Sequence, residues 1–360
     1  MPRIRNVLIM TFLLFSPLFA SSWDSLDMMD RFSNLRYRAM GSTGVAASEA
    51  EGTFALNPAL LFKSESNRFS VGTRYGETFF SGDDSIDPIP WITQPEASLD
   101  LHFSNRYVAL SIGLGNVLVR EQLDPGDSYP TDREIYTANN LSRIQLTGSY
   151  GWRSITFGLY ASVGTATGRN VEIRKERPLF DYISRTYLER YDSSGATGGD
   201  FSSGLGILIS YPWISIGLLS TSLFTIEEET NRLVLDVTDI FNGVAVGIAA
   251  NTPKFSRNNE LNPLVILAMA DFTDLGAEED RSFRFGVEAK VQFLSDLWVA
   301  LRGGYREKRP LDESLFAIRG TGEITGGIGG RFGDVGTDIV MTIPLSNESV
   351  RITMGVAWKF

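Results

Sequence analysis

The sequence predicts an all-β fold, a transmembrane antiparallel β-barrel of about 14 strands whose lumen is plugged by an N-terminal hatch. Three observations carry this expectation. Apolar and polar residues alternate with period two, repeatedly, from residue 67 to the C-terminus. The connections between alternating segments are short on one side and long on the other. Tryptophans gather at the short-turn ends.

Residues 1–22 read as a secretory signal peptide. Arg3 and Arg5 form a basic start, Val7 to Phe19 an apolar run, and Ala20-Ser21-Ser22 a small-residue exit. The run is too short to span a bilayer as a helix, and no stop-transfer pattern follows. No later stretch approaches the ~18 uninterrupted apolar residues of a membrane helix. The chain has no Cys, so neither a lipid-modified cysteine nor a disulfide framework is available. Lys and Arg number 33 against 43 Asp and Glu, a net charge of −10. Nucleic acid is therefore not an expected partner, because its binding rests on clustered basic residues.

Residues 23–66 do not alternate and are expected to form the hatch. They include GSTGVAASEAEGTFALNPALL, from Gly41 to Leu61. This run is too rich in Gly, Ser and Thr for a stable helix and too small-sided for a packed strand. A barrel of about 14 strands leaks unless its lumen is filled, and a segment of small side chains can thread close to the wall. Gly41 and Gly44 permit tight bends. Pro58 pushes Asn57 into an extended or turn conformation, so the step into Ala59 is a bend with a side-chain amide available to backbone. Phe54, Leu56, Leu60, Leu61 and Phe62 argue against a loose periplasmic tail.

Residues 67–360 are the expected barrel. Candidate strands run over 67–80, 96–104, 107–120, 138–151, 154–168, 199–211, 213–226, 241–252, 262–274, 281–293, 296–306, 322–333, 335–344 and 349–360. In the last, Val350, Ile352, Met354, Val356, Trp358 and Phe360 point one way, and Arg351, Thr353, Gly355, Ala357 and Lys359 the other. Phe283 to Phe293 and Ile155 to Val163 alternate likewise. Tight connections include Ser104-Asn105-Arg106, Tyr211-Pro212-Trp213 and Gly333-Asp334-Val335; the longest, from Gly168 to about Gly198, reads as an outer loop. The connection from Asn251 to Glu260 is long on the short side. Trp152, Trp213, Trp298 and Trp358 fall at the short-turn ends, where an interfacial girdle would lie.

Catalytic and metal chemistry find little support. The single His, His102, would have to serve any Ser-His-Asp arrangement, and it sits on the inward or rim side of its strand. No metalloprotease, phosphate-loop, dinucleotide or nucleophile-elbow motif is present, so no cofactor is expected. Acidic groups at Asp83, Asp84 and Asp87, at Asp124 and Asp127, at Glu227 to Glu229, and at Glu278, Glu279 and Asp280 read as solvated outer loops. The inward charges Arg284, Glu288, Lys290, Arg302 and Arg351 are more specific. Their mixed signs suit a network bonding the hatch, with a headgroup contact at Arg302 or Arg351 as the alternative.

The run Gly41-x-x-Gly44-Val45-Ala46 … Phe54-Ala55-x-Asn57-Pro58-Ala59-x-Leu61 resembles the N-terminal hatch of FadL-like outer-membrane proteins. That group includes the long-chain fatty acid transporters and the PorV-type barrels of secretion systems. Leu60 stands where those families usually have Gly. The stretches Phe285-Gly286-Val287-Glu288 and Leu301-Arg302-Gly303-Gly304-Tyr305 also look like the family, as do the closing hairpins. Trp358 and terminal Phe360 resemble the signal read by the barrel assembly machinery. The resemblance implies a plugged barrel in the bacterial outer membrane, among its lipids, that moves hydrophobic molecules or lipids such as long-chain fatty acids inward, passively and under control of the hatch. An alternative is a PorV-like scaffold whose partner is an exported protein. A surface adhesin and a polar porin have less to support them.

Overall fold

The computed structural model describes residues 34–47, 56–63, 67–105, 107–123, 131–176, 187–192, 197–227, 232–234, 240–241, 243–253, 263–276, 282–294, 297–308, 321–345 and 349–360, except 81–95. The expected signal peptide lies outside these residues, as do residues 23–33, 48–55 and 64–66 of the expected hatch and the acidic outer-loop groups named above, Glu227 excepted. Before the wall come a short helix, α1 (Leu35–Ala39), and a 3-10 helix (Pro58–Lys63).

The wall is one closed antiparallel ring of 14 strands. In chain order they are β1 (Arg68–Phe80), β2 (Glu96–Ser104), β3 (Val108–Leu123), β4 (Thr131–Trp152), β5 (Ile155–Glu176), β6 (Thr197–Ser210) and β7 (Ile214–Ser220). They continue as β8 (Val244–Asn251), β9 (Leu264–Thr273), β10 (Ser282–Leu294), β11 (Leu297–Lys308), β12 (Thr321–Phe332), β13 (Val335–Pro344) and β14 (Ser349–Lys359). Each strand pairs with the next, and β14 returns to β1 in a register from Ser70↔Lys359 to Phe80↔Ser349. Closure leaves the ring without the unpaired edges of an open sheet.

The alternation resolves into a polar inside and an apolar outside, the reverse of a soluble sheet. Leu110, Leu146 and Leu301 are 53%, 55% and 60% exposed on the outer face. Their neighbours Ser111, Gln145 and Arg302 are buried on the inner one.

Three features differ from the sequence expectation. First, β4 and β5 each run 22 residues, about twice the 9–11 a bilayer crossing needs. The expected outer loop from residue 168 to 198 is in part strand: β5 continues to Glu176, and Tyr187–Asp192 pairs with it from Asn170↔Asp192 to Lys175↔Tyr187. Loop-like composition was overridden there by pairing with a strand already held in the wall. Second, β7 stops at Ser220 rather than near 226. Hydroxyls offer the backbone other partners at this point: Phe224 N–H donates to Ser203 Oγ at 2.9 Å, and Tyr160 Oη donates to the Thr221 carbonyl at 3.1 Å. Residues Thr225–Glu227 and Arg232–Val234 then form a small separate hairpin. Third, Trp298 is not exposed as Trp152, Trp213 and Trp358 are. It shares the inward parity of Arg302 and Gly304, with the Lys290 ammonium 5.4 Å and the Arg302 guanidinium 5.8 Å from its ring.

Phe360 completes the seam. Its N–H donates to the Phe69 carbonyl at 2.8 Å, Phe69 N–H donates back at 3.1 Å, and the two rings lie 5.9 Å apart. Deleting Phe360 removes both bonds, and we expect a lower unfolding temperature, read as the temperature at which the folded barrel loses its fast gel mobility.

Candidate functional site inside the barrel

Residues 34–47 and 56–63 lie against the inner face of the wall. Asn34 caps α1, its Oδ1 accepting from Arg36 N–H at 3.0 Å. The helix closes where Ser42 N–H reaches the Tyr37 carbonyl at 2.8 Å, which requires a left-handed Gly41, φ +66°. Ser42 is also left-handed, at φ +58°, a strained conformation for a residue with a Cβ. The two residues turn the chain so that the amides of Gly44 and Val45 meet the wall.

That contact is backbone on backbone, and glycines of the wall make it fit. A methyl group on Gly286 or Gly304 would overlap the Met40 backbone; on Gly217, that of Val45; on Gly158, that of Pro58 and Ala59. One on Gly206 would strike the Asn57 side chain. These glycines sit on β5, β6, β7, β10 and β11, so the close approach runs around much of the ring.

Residues 34–47 are held by charge and by hydrogen bonds. Arg36 donates Nε and Nη2 to Glu288 at 2.8 and 2.6 Å, and Arg302 Nε donates to the same carboxylate at 2.7 Å. Arg302 also pairs with Asp338. Asp271 Oδ2 accepts from the amides of Gly44 and Val45 at 2.6 and 3.0 Å. Gly41 N–H donates to Thr325 Oγ1 at 2.8 Å, and Arg284 donates to the Ser42 carbonyl at 3.2 Å. Bidentate guanidinium–carboxylate pairs are among the stronger polar contacts, and here water is excluded from them.

Residues 56–63 are held differently. Asn57 Nδ2 donates to the Val45 carbonyl at 2.7 Å and lies 3.3 and 3.4 Å from those of Ile207 and Leu218, two amide hydrogens spread over three acceptors. Its Oδ1 accepts from Ala59 N–H at 3.0 Å. Leu56, Ala59 and Leu60 add apolar contacts. At the end of the turn, burial holds the Lys63 ammonium below its ordinary range.

Of the residues singled out by sequence, the structure brings Gly41, Gly44, Arg284, Glu288 and Arg302 together on β9–β12, with Gly44 held by Asp271 of β9, and Asn57, Pro58 and Ala59 into a second group on β5–β7. Lys290 lies over the Trp298 ring. Arg351 stands on the inner face of β14, level with Thr78 and Thr342. Sequence reasoning missed Arg36, Asp271 and Asp338. It also missed Arg143, buried on β4 with Nη2 donating to Ser162 and Ser202 hydroxyls at 2.5 and 2.6 Å. Asp271 had a signal: it is the one acid in the apolar strand LVILAMADFT. Arg36 had none, because its partner is 252 residues away.

Replacing Glu288 with Ala leaves two buried guanidinium groups without this carboxylate. Denaturant titration should register a loss of about 3–5 kcal/mol. Gly304→Val should instead leave the wall folded and expel residues 34–47, read as new protease cleavage within that segment.

No family model and no curated protein matches the chain by sequence. Solved structures do match by shape. The Pseudomonas putida toluene transporter TodX superposes with a TM-score of 0.57 at 12% identity, over 95% of this chain and 99% of that one. The Ralstonia pickettii toluene transporter TbuX gives 0.55 at 14%, over 90% and 97%. A Pseudomonas aeruginosa FadL homologue gives 0.56 at 10%, over 91% and 98%. Two are transporters and the third is a FadL homologue, and the barrel described here is similar to theirs over nearly its whole length: the chain has the fold of the FadL-type transport channels.

Proposed function

We propose that this protein is an outer-membrane channel that takes up small hydrophobic molecules, with residues 23–66 as its hatch. The observation that carries the reading is the closed barrel with an apolar exterior and with its interior occupied by its own N-terminal segment. An exterior carrying Leu110, Leu146, Phe157, Leu218 and Leu301 exposed would be costly in water and is at home in lipid. Resemblance to channels for toluene and to a FadL homologue supports hydrophobic cargo. Long-chain fatty acids are one such cargo; monoaromatic hydrocarbons are another. Transport is passive in this reading, as the resemblance implies, and the hatch controls passage because Gly41, Gly44, Asn57, Pro58 and Ala59 all stand in wall contact. The Arg284, Glu288 and Arg302 cluster then serves to hold the hatch. Export through the signal peptide and recognition of Trp358 and Phe360 by the assembly machinery complete the proposed route to the membrane.

Two measurements test this. Cells producing the protein should take up labelled toluene or a labelled long-chain fatty acid severalfold faster than cells lacking it, at unchanged uptake of a polar sugar. Equal rates for every apolar probe would sink the channel. Separately, Leu146→Arg places a cation on the outer face, and lipid-vesicle unfolding should show a loss of roughly 2–4 kcal/mol if that face meets the bilayer core. A change within about 0.5 kcal/mol would argue for a watery exterior.

A further inference from the structure

The wall is not of even height. β3, β4 and β5 run on past the apolar band of the outer face, in one unbroken register. The last wholly apolar row outside is Leu114↔Ile144↔Val163, with Leu114 42% and Ile144 53% exposed. Outward parity continues beyond it. Asn116↔Ser142↔Thr165 comes first, closed by Asn116 Nδ2 donating to Ser142 Oγ at 3.2 Å. Leu118↔Asn140↔Thr167 follows, and then Arg120↔Ala138↔Arg169. The next row, Gln122↔Tyr136↔Val171↔Tyr191, takes in the added strand Tyr187–Asp192.

Basic residues on the outer face are confined to this extension. Among the described wall residues, the Lys and Arg of outward parity are Arg120, Arg169 and Lys175. Lys175 stands opposite Asp132, and Glu134 and Glu189 flank Ile173 in the row below it. The row of Arg120 and Arg169 differs, because the rows directly above and below it hold no acid. In a chain of net charge −10, two arginines set apart in this way suit an anionic partner.

Height decides which anion. From Leu114 to Arg120 the chain rises about 20 Å along the strand, or ~15 Å above the apolar row at a tilt near 40°. The headgroup layer of an ordinary phospholipid is only about 5–7 Å thick. A saccharide headgroup stands taller. We propose that the outward face of this extension binds the phosphorylated saccharide headgroup of an outer-leaflet glycolipid, with Arg120 and Arg169 taking its phosphate. Two strand spacings set their Cα atoms ~10 Å apart, an interval that fits one phosphate between two guanidinium groups, with a residue as small as Ala138 between them. Tyr136 and Tyr191 stand one row higher, where aromatic rings with a polar tip suit a sugar. This inference rests on the outer-membrane placement proposed above and is independent of the cargo.

The test is lipid retention by the full-length protein. Barrels are assembled in phosphatidylcholine nanodiscs doped with rough lipopolysaccharide or with phosphatidylglycerol, released into mild detergent, and weighed by native mass spectrometry. Lipopolysaccharide is expected to stay bound, and phosphatidylglycerol about tenfold less often. Changing both arginines, Arg120→Ser with Arg169→Ser, should lower retained lipopolysaccharide about tenfold, and stripping the lipid of phosphate should do the same to the wild type. Arg174→Ser removes a charge of inward parity from the same extension and should leave retention unchanged. Ala138→Glu sets an acid between the two arginines and should match the double variant, so the test survives if that variant fails to fold. Unchanged retention in the double variant and in Ala138→Glu overturns the inference, as does an equal fall in Arg174→Ser. Phosphatidylglycerol held as well as lipopolysaccharide, and lost with the arginines, overturns the saccharide and leaves a phospholipid site. A barrel that enters nanodiscs yet keeps neither lipid overturns this inference alone; one that enters no bilayer sinks the outer-membrane reading with it.

Discussion

Residues 34–47 and 56–63 touch the wall through main chain, and the close approach of two backbones constrains much of the rest. A side chain at Gly158, Gly217, Gly286 or Gly304 would hold the segment away from the ring. With the backbones in contact, wall groups reach main-chain donors directly: Asp271 takes two successive amides and Thr325 a third. The same approach lets Asn57 reach carbonyls of two wall strands at once. Glycine weakens a strand interior, and here the ring accepts that weakness because its ladder is continuous and closed.

The charge distribution follows from this arrangement. The chain is acidic overall, yet Arg36 of the segment and the inward wall residues Arg143, Arg284, Lys290 and Arg302 are buried. In the narrow space between segment and wall these cations need partners within reach. Glu288 serves two arginines at once, and Asp338 shares one of them. Such a cluster specifies one register of segment against wall, because a shift of one residue would leave buried charge unpaired. The polar part of the interior therefore fixes the position of the segment.

The sequence made most of the fold legible for a simple reason: strand alternation has a period of two whatever surrounds it. Expected strands such as 96–104 and 335–344 coincide with β2 and β13. Errors occurred where a tertiary partner extended or cut a strand. Pairing with β4 carried β5 to Glu176, and hydroxyl contacts from Ser203 and Tyr160 ended β7 early. Trp298 was misplaced because position near a turn says nothing about which face a ring takes; only the inward parity it shares with Arg302 does.

For the interior, the sequence named the glycines, Asn57 and several of the charges, since such residues are conspicuous among alternating apolar ones. It could not pair them. Arg36 and Glu288 lie 252 positions apart, and only closure of the ring around the segment brings them together. What the sequence by itself determined is the class of fold and which face of each strand is apolar, because both are local consequences of side-chain alternation. What the tertiary structure decided is which inward residues touch the segment, and that two halves of it are held by different forces, because those contacts depend on distances around a closed ring that no local pattern encodes.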